Sequence, residues 1–179
     1  MPDSVRRLTR RRRLRTALGV LAFTATLLAT AWRAARRGDA AWFAFDPAAT
    51  YRVERVVDGD TLLLDSGHRV RLLGVDTPET KHPTRPIEPW GPEASAFVRR
   101  LAEGRTVRLE FDRERLDLYD RVLAWAFVGD AMLNEEIVRA GFSEAVRISP
   151  LRPDYEKRLV RAAEAARAEG LGIWSVGPP

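Results

Sequence analysis

Three short apolar runs crowd the segment between Tyr51 and Val75, and the residues between them leave few folds open. Tyr51 to Val57, Thr61 to Leu64 and Arg69 to Val75 are rich in Val and Leu, and Asp58-Gly59 and Ser66-Gly67 separate them. Runs this short, bounded by residues that favour tight turns, form strands joined as a meander. A later run alternates strictly: Val107, Leu109 and Phe111 face one way, Arg108 and Glu110 the other. Val122 to Val128 is apolar on both faces, which suits a strand enclosed in a closed or nearly closed barrel, with Gly129-Asp130 as the turn after it.

Helical patterns fill the remainder. Glu93 to Ala102 puts Ala94, Phe97, Val98 and Leu101 on one stripe, and Gly104 stops it. Lys81 to Pro92 carries Pro83, Pro86, Pro89 and Pro92 and is predicted to be a mobile surface loop without regular structure. Asn134 is placed to cap a short helix through Ala140 that ends at Gly141, and Phe142 to Ile148 reads as a weak strand or extended piece. Tyr155 to Ala168, rich in Ala, Glu and Arg, is a helix stopped by Gly170, with Ile173 and Trp174 packing against its end. Five strands with a helix between the third and fourth predict an α+β fold, a small five-stranded barrel of the OB type.

At 179 residues the chain can hold one domain with a sizeable core plus a leader, and not two large domains. Seven arginines from Arg6 to Arg15 precede the apolar run Thr16 to Trp32, a basic n-region followed by an h-region. Ala29-Thr30-Ala31 suits signal-peptidase cleavage, while the run also approaches the roughly 17 to 25 residues of a spanning helix. Residues 1–32 therefore read as a signal peptide or as a membrane anchor with its amino end in the cytoplasm. Either places the rest outside the cytoplasm, secreted or anchored. Residues 33–49, with Trp42, Phe43 and Phe45 as isolated apolars, read as a linker, 50–175 as the folded domain and 176–179 as a tail.

The net charge of +5 resembles a nucleic-acid footprint until it is located. Residues 1–39 carry +8 and residues 40–179 carry −3, so the basic character belongs to the leader. There is no Cys, which excludes a disulfide framework and thiol chemistry. Monomer is the default expectation for the folded part.

The chemistry concentrates between Asp58 and Glu79. Asp60 and Asp76 are hard oxygen donors, and with two His and no Cys in the chain, Ca²⁺ or Mg²⁺ suits them better than zinc. Arg71, inside the third run, can grip a phosphate oxygen as a bidentate fork. Glu79, three residues past Asp76, can sit beside a metal and still accept a proton from water. Arg121, at the start of the buried run, is a second cation that a barrel could bring opposite Arg71. Such a set meets the needs of phosphodiester cleavage, where negative charge grows as water attacks. Each part alone has an ordinary reading. Asp58-Gly59-Asp60 is a common turn, and Asp76-Thr77-Pro78-Glu79 a strand-end turn. Tyr119 could pack or touch a phosphate, and His68 and His82 read as surface residues. An EF-hand loop from Asp58 is excluded by Leu63, where such a loop needs Gly.

DGDT at 58–61, RLLGVDTPETKHP at 71–83, GPEASAF at 91–97, DLYDR at 117–121 and NEEIVRAG at 134–141 resemble, in order, the staphylococcal nuclease (thermonuclease) family. The resemblance covers about residues 50–175. It implies an OB-fold nuclease that uses Ca²⁺ to hydrolyse DNA and RNA to 3′-phosphates. It further implies that Asp60 and Asp76 ligate the metal by carboxylate and Thr77 by its carbonyl. Glu79 would orient or deprotonate water, Arg71 and Arg121 would hold the scissile phosphate, and Lys81 and Tyr119 would add contacts to nucleotide phosphate. Two departures stand out. Asp120 replaces the glycine that the family commonly carries before the second arginine, and SEAVRISP after Gly141, with Arg147 and Ser149, replaces tyrosines that line the nucleotide pocket. The alternative reading is a non-catalytic OB-like module that binds nucleic acid or protein at the membrane.

Overall fold

A computed structural model describes residues 45–46, 48–80, 86–146 and 152–175. The leader, most of the linker, Lys81, His82, Arg147, Ser149 and the tail lie outside these residues. Among the described residues no helix is long and apolar enough to cross a membrane.

Six strands form one sheet. They are β1 (Thr50–Asp58), β2 (Thr61–Leu64), β3 (Arg69–Leu72), β4 (Thr106–Glu110), β5 (Val122–Val128) and β6 (Ala131–Met132). Their order is β3-β2-β1-β4-β5-β6, and β3 also pairs in parallel with β5, which closes five of them into a barrel. Strand β1 makes closure possible by serving two neighbours: Thr50 to Arg52 pair with β4, and Val53 to Asp58 pair with β2. Register shifts after Val53 and after Val56 bend it between the two, as bulges do at barrel corners. Strand β5 is buried on both faces because it lies between β3 and β4 in this closed wall.

Three helices cover the barrel: α1 (Gly91–Ala102), α2 (Leu133–Arg139) and α3 (Pro153–Ala168). Helix α1 buries Ala94 and Val98 of the expected stripe, adds Ala102, and packs Phe97 and Leu101 partly buried against the core. It begins at Gly91, two residues earlier than predicted, and Pro92 lies in its first turn rather than in the loop; proline is suited to that place because no amide hydrogen is needed there. At its other end the Glu103 carboxylate accepts from the Val56 amide at 2.8 Å, satisfying a donor that the β1 bulge frees. Helix α3 lays Tyr155 edge-on to Trp125 at 5.1 Å, and the Tyr155 hydroxyl donates to Glu110 Oε2 at 2.7 Å. Arg152 donates to the same oxygen at 3.0 Å.

Three expectations need correction. Phe45 is not part of a linker: it is buried in the core, with its ring 5.0 Å from that of Tyr51 and 6.0 Å from that of Phe111. The folded unit therefore reaches back past Thr50. Strand β3 ends at Leu72 and not Val75, because the chain turns there to supply carbonyls to Arg71. Asn134 does not cap α2; Met132 holds that position. The Asn134 side chain is instead fully buried, accepting from the Ala126 amide at 3.0 Å and donating to the Leu73 carbonyl at 2.8 Å. It ties β5 to the turn after β3. Of the two readings of the segment from Phe142, strand or extended piece, the strand is excluded for Phe142 to Val146, which form no ladder; their one backbone tie to that turn is the Val146 amide on the Gly74 carbonyl, 2.9 Å.

The segment after α3 is fastened to the end of α2. A 3₁₀ turn spans Gly172–Trp174, and the Ile173 amide donates to the Gly141 carbonyl at 2.8 Å. The backbones approach so closely that a Cβ on Gly141 would lie 2.3 Å from the Leu171 carbonyl oxygen. The Arg167 guanidinium stacks 4.4 Å from the Trp174 ring centroid.

Asn134→Ala is expected to cost about 3 kcal/mol in urea denaturation, because it strands a buried amide and a buried carbonyl. Glu110 tests linkage. Burial pushes its carboxyl up, but the bonds from Tyr155 and Arg108 and the charges of Arg108 and Arg152 outweigh this and leave it below the ordinary value of 4.5. A depressed carboxyl stabilises the fold above its unfolded pKa, and the contribution is lost as pH falls through the folded one. Glu110→Gln should therefore destabilise by about 1 kcal/mol at pH 7, and the difference should shrink as unfolding is measured at progressively more acidic pH below 4.5.

Candidate active site

Arg71 stands where the barrel closes, paired with Thr61 of β2 on one side and with Leu123 of β5 on the other. Its side chain is in a residue only 7% exposed. Nη1 donates to the Val75 carbonyl at 2.7 Å and the Leu72 carbonyl at 3.3 Å, and lies 3.0 Å from Asp60 Oδ2; Nη2 donates to Asp76 Oδ1 at 2.8 Å. The turn bearing these acceptors is itself held. Ser143, fully buried, accepts from the Asp76 amide at 2.8 Å and donates to the Glu144 carbonyl at 2.6 Å.

Asp60 is 8% exposed, and burial pushes its carboxyl up, opposed by the charge of Arg71 and by bonds from Thr61 and Thr77. Asp58 shows the reverse. Burial would raise it, but a hydrogen bond shared with Glu79 and donations from the Gly59 amide, Thr80 and Ser95 hold it below the usual aspartate value. The Glu79 amide donates to Glu88 Oε2, and the Glu88 amide donates to the Glu79 carbonyl, each at 3.0 Å. The two ends of the proline-rich loop are thereby tied together at the site. Gly59 is required at the DGD turn, since a Cβ there would meet Thr77 Oγ1 at 2.6 Å.

Arg121 is aimed by Asp117. One carboxylate oxygen of Asp117 accepts from the Tyr119 and Arg121 amides at 2.9 and 3.0 Å, and the other from Arg121 Nε at 2.6 Å. Nη1 reaches Thr61 Oγ1 at 3.4 Å, and that hydroxyl bonds Asp60 at 2.8 Å, so a chain of contacts links the two arginines through β2. Asp120 adopts φ +58°, the left-handed region that favours glycine. Tyr119 is 79% exposed, so it does not pack in the core, and Arg121 lies 5.5 Å from its ring centroid.

Two cavities meet here. One, of about 420 Å³, is lined by Asp58, Asp60, Asp76, Glu79 and Glu88 together with Arg69, Arg71 and Arg121. Five carboxylates against three guanidiniums leave an excess of two negative charges. The donors are all oxygen, and beside Asp60 the Thr77 hydroxyl is buried without a hydrogen-bond partner. This donor set fits a hard divalent cation. Among the described residues no three acids converge on one point in this arrangement, with Arg71 bonded to both Asp60 and Asp76. The Asp76 side chain, 65% exposed, meets Arg71 through Oδ1. The second cavity, about 620 Å³, shares Arg71 and Arg121 with the first, and its walls include Leu116, Leu118, Tyr119 and Leu123.

A family model described as staphylococcal nuclease homologue matches residues 69–176. The chain belongs to the staphylococcal nuclease family. The closed barrel with its three helices is that family's OB-type fold. A thermonuclease of Staphylococcus intermedius is 41% identical over 128 residues, covering 70% of this chain and 76% of the relative. A thermonuclease of Staphylococcus hyicus is 40% identical over 129 residues, with the same two coverages. Endonuclease YncB of Bacillus subtilis is 32% identical over 127 residues, 69% of this chain and 60% of the relative.

The fold brings Asp60, Arg71, Asp76, Thr77, Glu79 and Arg121 to one cavity, and Tyr119 to the adjoining one. Lys81 lies outside the described residues. Asp58, Glu88, Asp117 and Ser143 escaped the sequence reading as site residues; the first and third stand inside the quoted motifs, while the contacts of Glu88 and Ser143 exist only in three dimensions. Asp120→Gly removes an acid beside Arg121 and a left-handed aspartate. It is expected to tighten mononucleotide binding by roughly threefold, as the loss of one exposed like charge would, and to change stability by less than about 1 kcal/mol. Calorimetric titration and urea denaturation check both.

Proposed function

We propose that this protein is a calcium-dependent nuclease that hydrolyses phosphodiester bonds of DNA and RNA to 3′-phosphate products outside the cytoplasm. The observation that carries the reading is the placement of Arg71 and Arg121 between an acid-rich cavity and an apolar one, with Glu79 on the acid side. The naming of relatives as thermonucleases and an endonuclease supports it.

Asp60, Asp76 and the Thr77 carbonyl would hold Ca²⁺, which supplies positive charge to phosphate oxygens and makes bound water more acidic. Arg121, aimed by Asp117, offers its remaining guanidinium donors to the scissile phosphate. Arg71 offers Nη2 when Asp76 turns away. Both stabilise the charge that builds on the phosphate oxygens as water attacks, in a partly enclosed site where such donors act strongly. Glu79, braced by Glu88 through its backbone and facing Asp58, orients the attacking water and takes its proton. Tyr119, with Lys81, contacts the nucleotide on the apolar side. The basic and apolar leader supports export, either secreted or anchored in the membrane with a cytoplasmic amino end, and the folded part acts as a monomer.

The test uses the full chain and single-stranded DNA with Ca²⁺, Mg²⁺ or chelator, with product ends mapped. Calcium-dependent cleavage to 3′-phosphates is expected, with kcat lowered by about 10² to 10⁴ in Glu79→Gln. Saturating Ca²⁺ should also raise the unfolding free energy, by about 2.7 kcal/mol at a hundred times Kd, and Asp60→Ala should abolish that gain. Folded protein that fails to cleave with Ca²⁺ and with Mg²⁺ would overturn the reading and leave the non-catalytic binding module in its place.

A further inference from the structure

Of the three guanidiniums in the acid-rich cavity, the reading above uses Arg71 and Arg121. The third, Arg69, lies on β3 two residues before Arg71. Side chains two apart on a strand share a face at a separation of about 6.6 Å, a step comparable to that between consecutive phosphates of a single strand. Arg69 is exposed, and five carboxylates line the same cavity, yet among the described residues its side chain makes no hydrogen bond or ion pair. Arg71 and Arg121 differ: Arg71 is bonded to Asp60 and Asp76, and Arg121 to Asp117.

The two cavities give a direction. Arg71 and Arg121 line both, whereas Arg69 lines only the acid-rich one and Tyr119 only the apolar one. A nucleic acid with a nucleoside against Tyr119 and its scissile phosphate on the arginine pair would continue into the acid-rich cavity, whose lining includes Arg69. On that path the next phosphate passes Asp58, Glu79 and Glu88, the carboxylates of the cavity outside the calcium ligand set, which repel it. We infer that Arg69 forms a second phosphate subsite, which binds the backbone phosphate next to the scissile one on the side away from the nucleoside in the apolar cavity. The inference rests on the nuclease reading. It makes Arg69 a substrate-binding residue that favours oligonucleotides over substrates with a single phosphodiester.

The test pairs the full chain with its Arg69→Ala, Arg69→Lys and Arg69→Glu forms on a single-stranded tetranucleotide cleaved at its central linkage. Two further tetranucleotides carry a neutral methylphosphonate at one or the other flanking position. Arg69→Ala is expected to lower kcat/KM by roughly threefold to fivefold on the unmodified strand, the scale of one exposed charge pair. Arg69→Lys should recover part of the loss and Arg69→Glu should deepen it. Neutralising one particular flanking phosphate should erase the difference between the parent and Arg69→Ala, and neutralising the other should leave it in place. Binding of the unmodified strand in a Glu79→Gln background should lose about 0.7 from the slope of log affinity against log salt when Arg69 is also replaced by Ala, the share of one phosphate on a single strand. No penalty from Arg69→Ala, or a penalty that survives neutralising either flank, would overturn the subsite. Failure of the parent to cleave the unmodified strand would instead overturn the nuclease reading.

Discussion

Burying a guanidinium costs several kcal/mol unless its donors find acceptors, and at Arg71 the fold supplies two carboxylates and two carbonyls. Much of the local architecture follows from that requirement. Strand β3 has to stop at Leu72 so that the chain can turn its carbonyls inward, and Asp60 has to leave the DGD turn facing β3. The parallel pairing of β3 with β5 runs through the same residue. The element that closes the barrel and the element suited to bind phosphate are therefore one. Loss of either partner would leave an uncompensated buried charge, so substitutions at Asp60 and Arg71 act on folding and on chemistry together.

Around that pair the acids divide by environment. Asp60 is pressed toward its neutral form by burial, whereas Asp58 is held toward its charged form by an amide, two hydroxyls and Glu79. Two carboxylates two residues apart are thus pushed in opposite directions by what surrounds them, a pattern that suits groups with different duties. The proline-rich loop contributes through the residues beside it: the Glu79 amide donates to the Glu88 carboxylate, and the Glu88 amide donates to the Glu79 carbonyl.

Strands bounded by local signals were the most legible parts of the fold. Asp58-Gly59, Ser66-Gly67 and Gly129-Asp130 mark the limits of β2 and β5 in the sequence itself, and both strands match their expected bounds. Where an element is decided by distant partners, local reading failed. Asn134 looks like a cap because asparagine favours that place at a helix start, yet it lies inside α2 and its amide is consumed by Leu73 and Ala126. Phe45 looks isolated because its ring partners, Tyr51 and Phe111, are separated from it or from each other in sequence. The site was legible as a set, since its acids and arginines are clustered in short motifs, but Arg71's engagement with both Asp60 and Asp76 is a property of the closed barrel.

The clasp between Gly141 and the segment at 171–174 bears on the order in which the site and its support are made during synthesis. Every acid and arginine of the site is made before Gly141, and the residues that grip Gly141 come some thirty positions later. A nascent chain that has passed Arg121 already owns the full chemical set but not the packing that holds α2, and through Asn134 the β3 turn, in place. A product broken off after α3 would carry every acid and arginine of the site without the residues that fasten the end of α2.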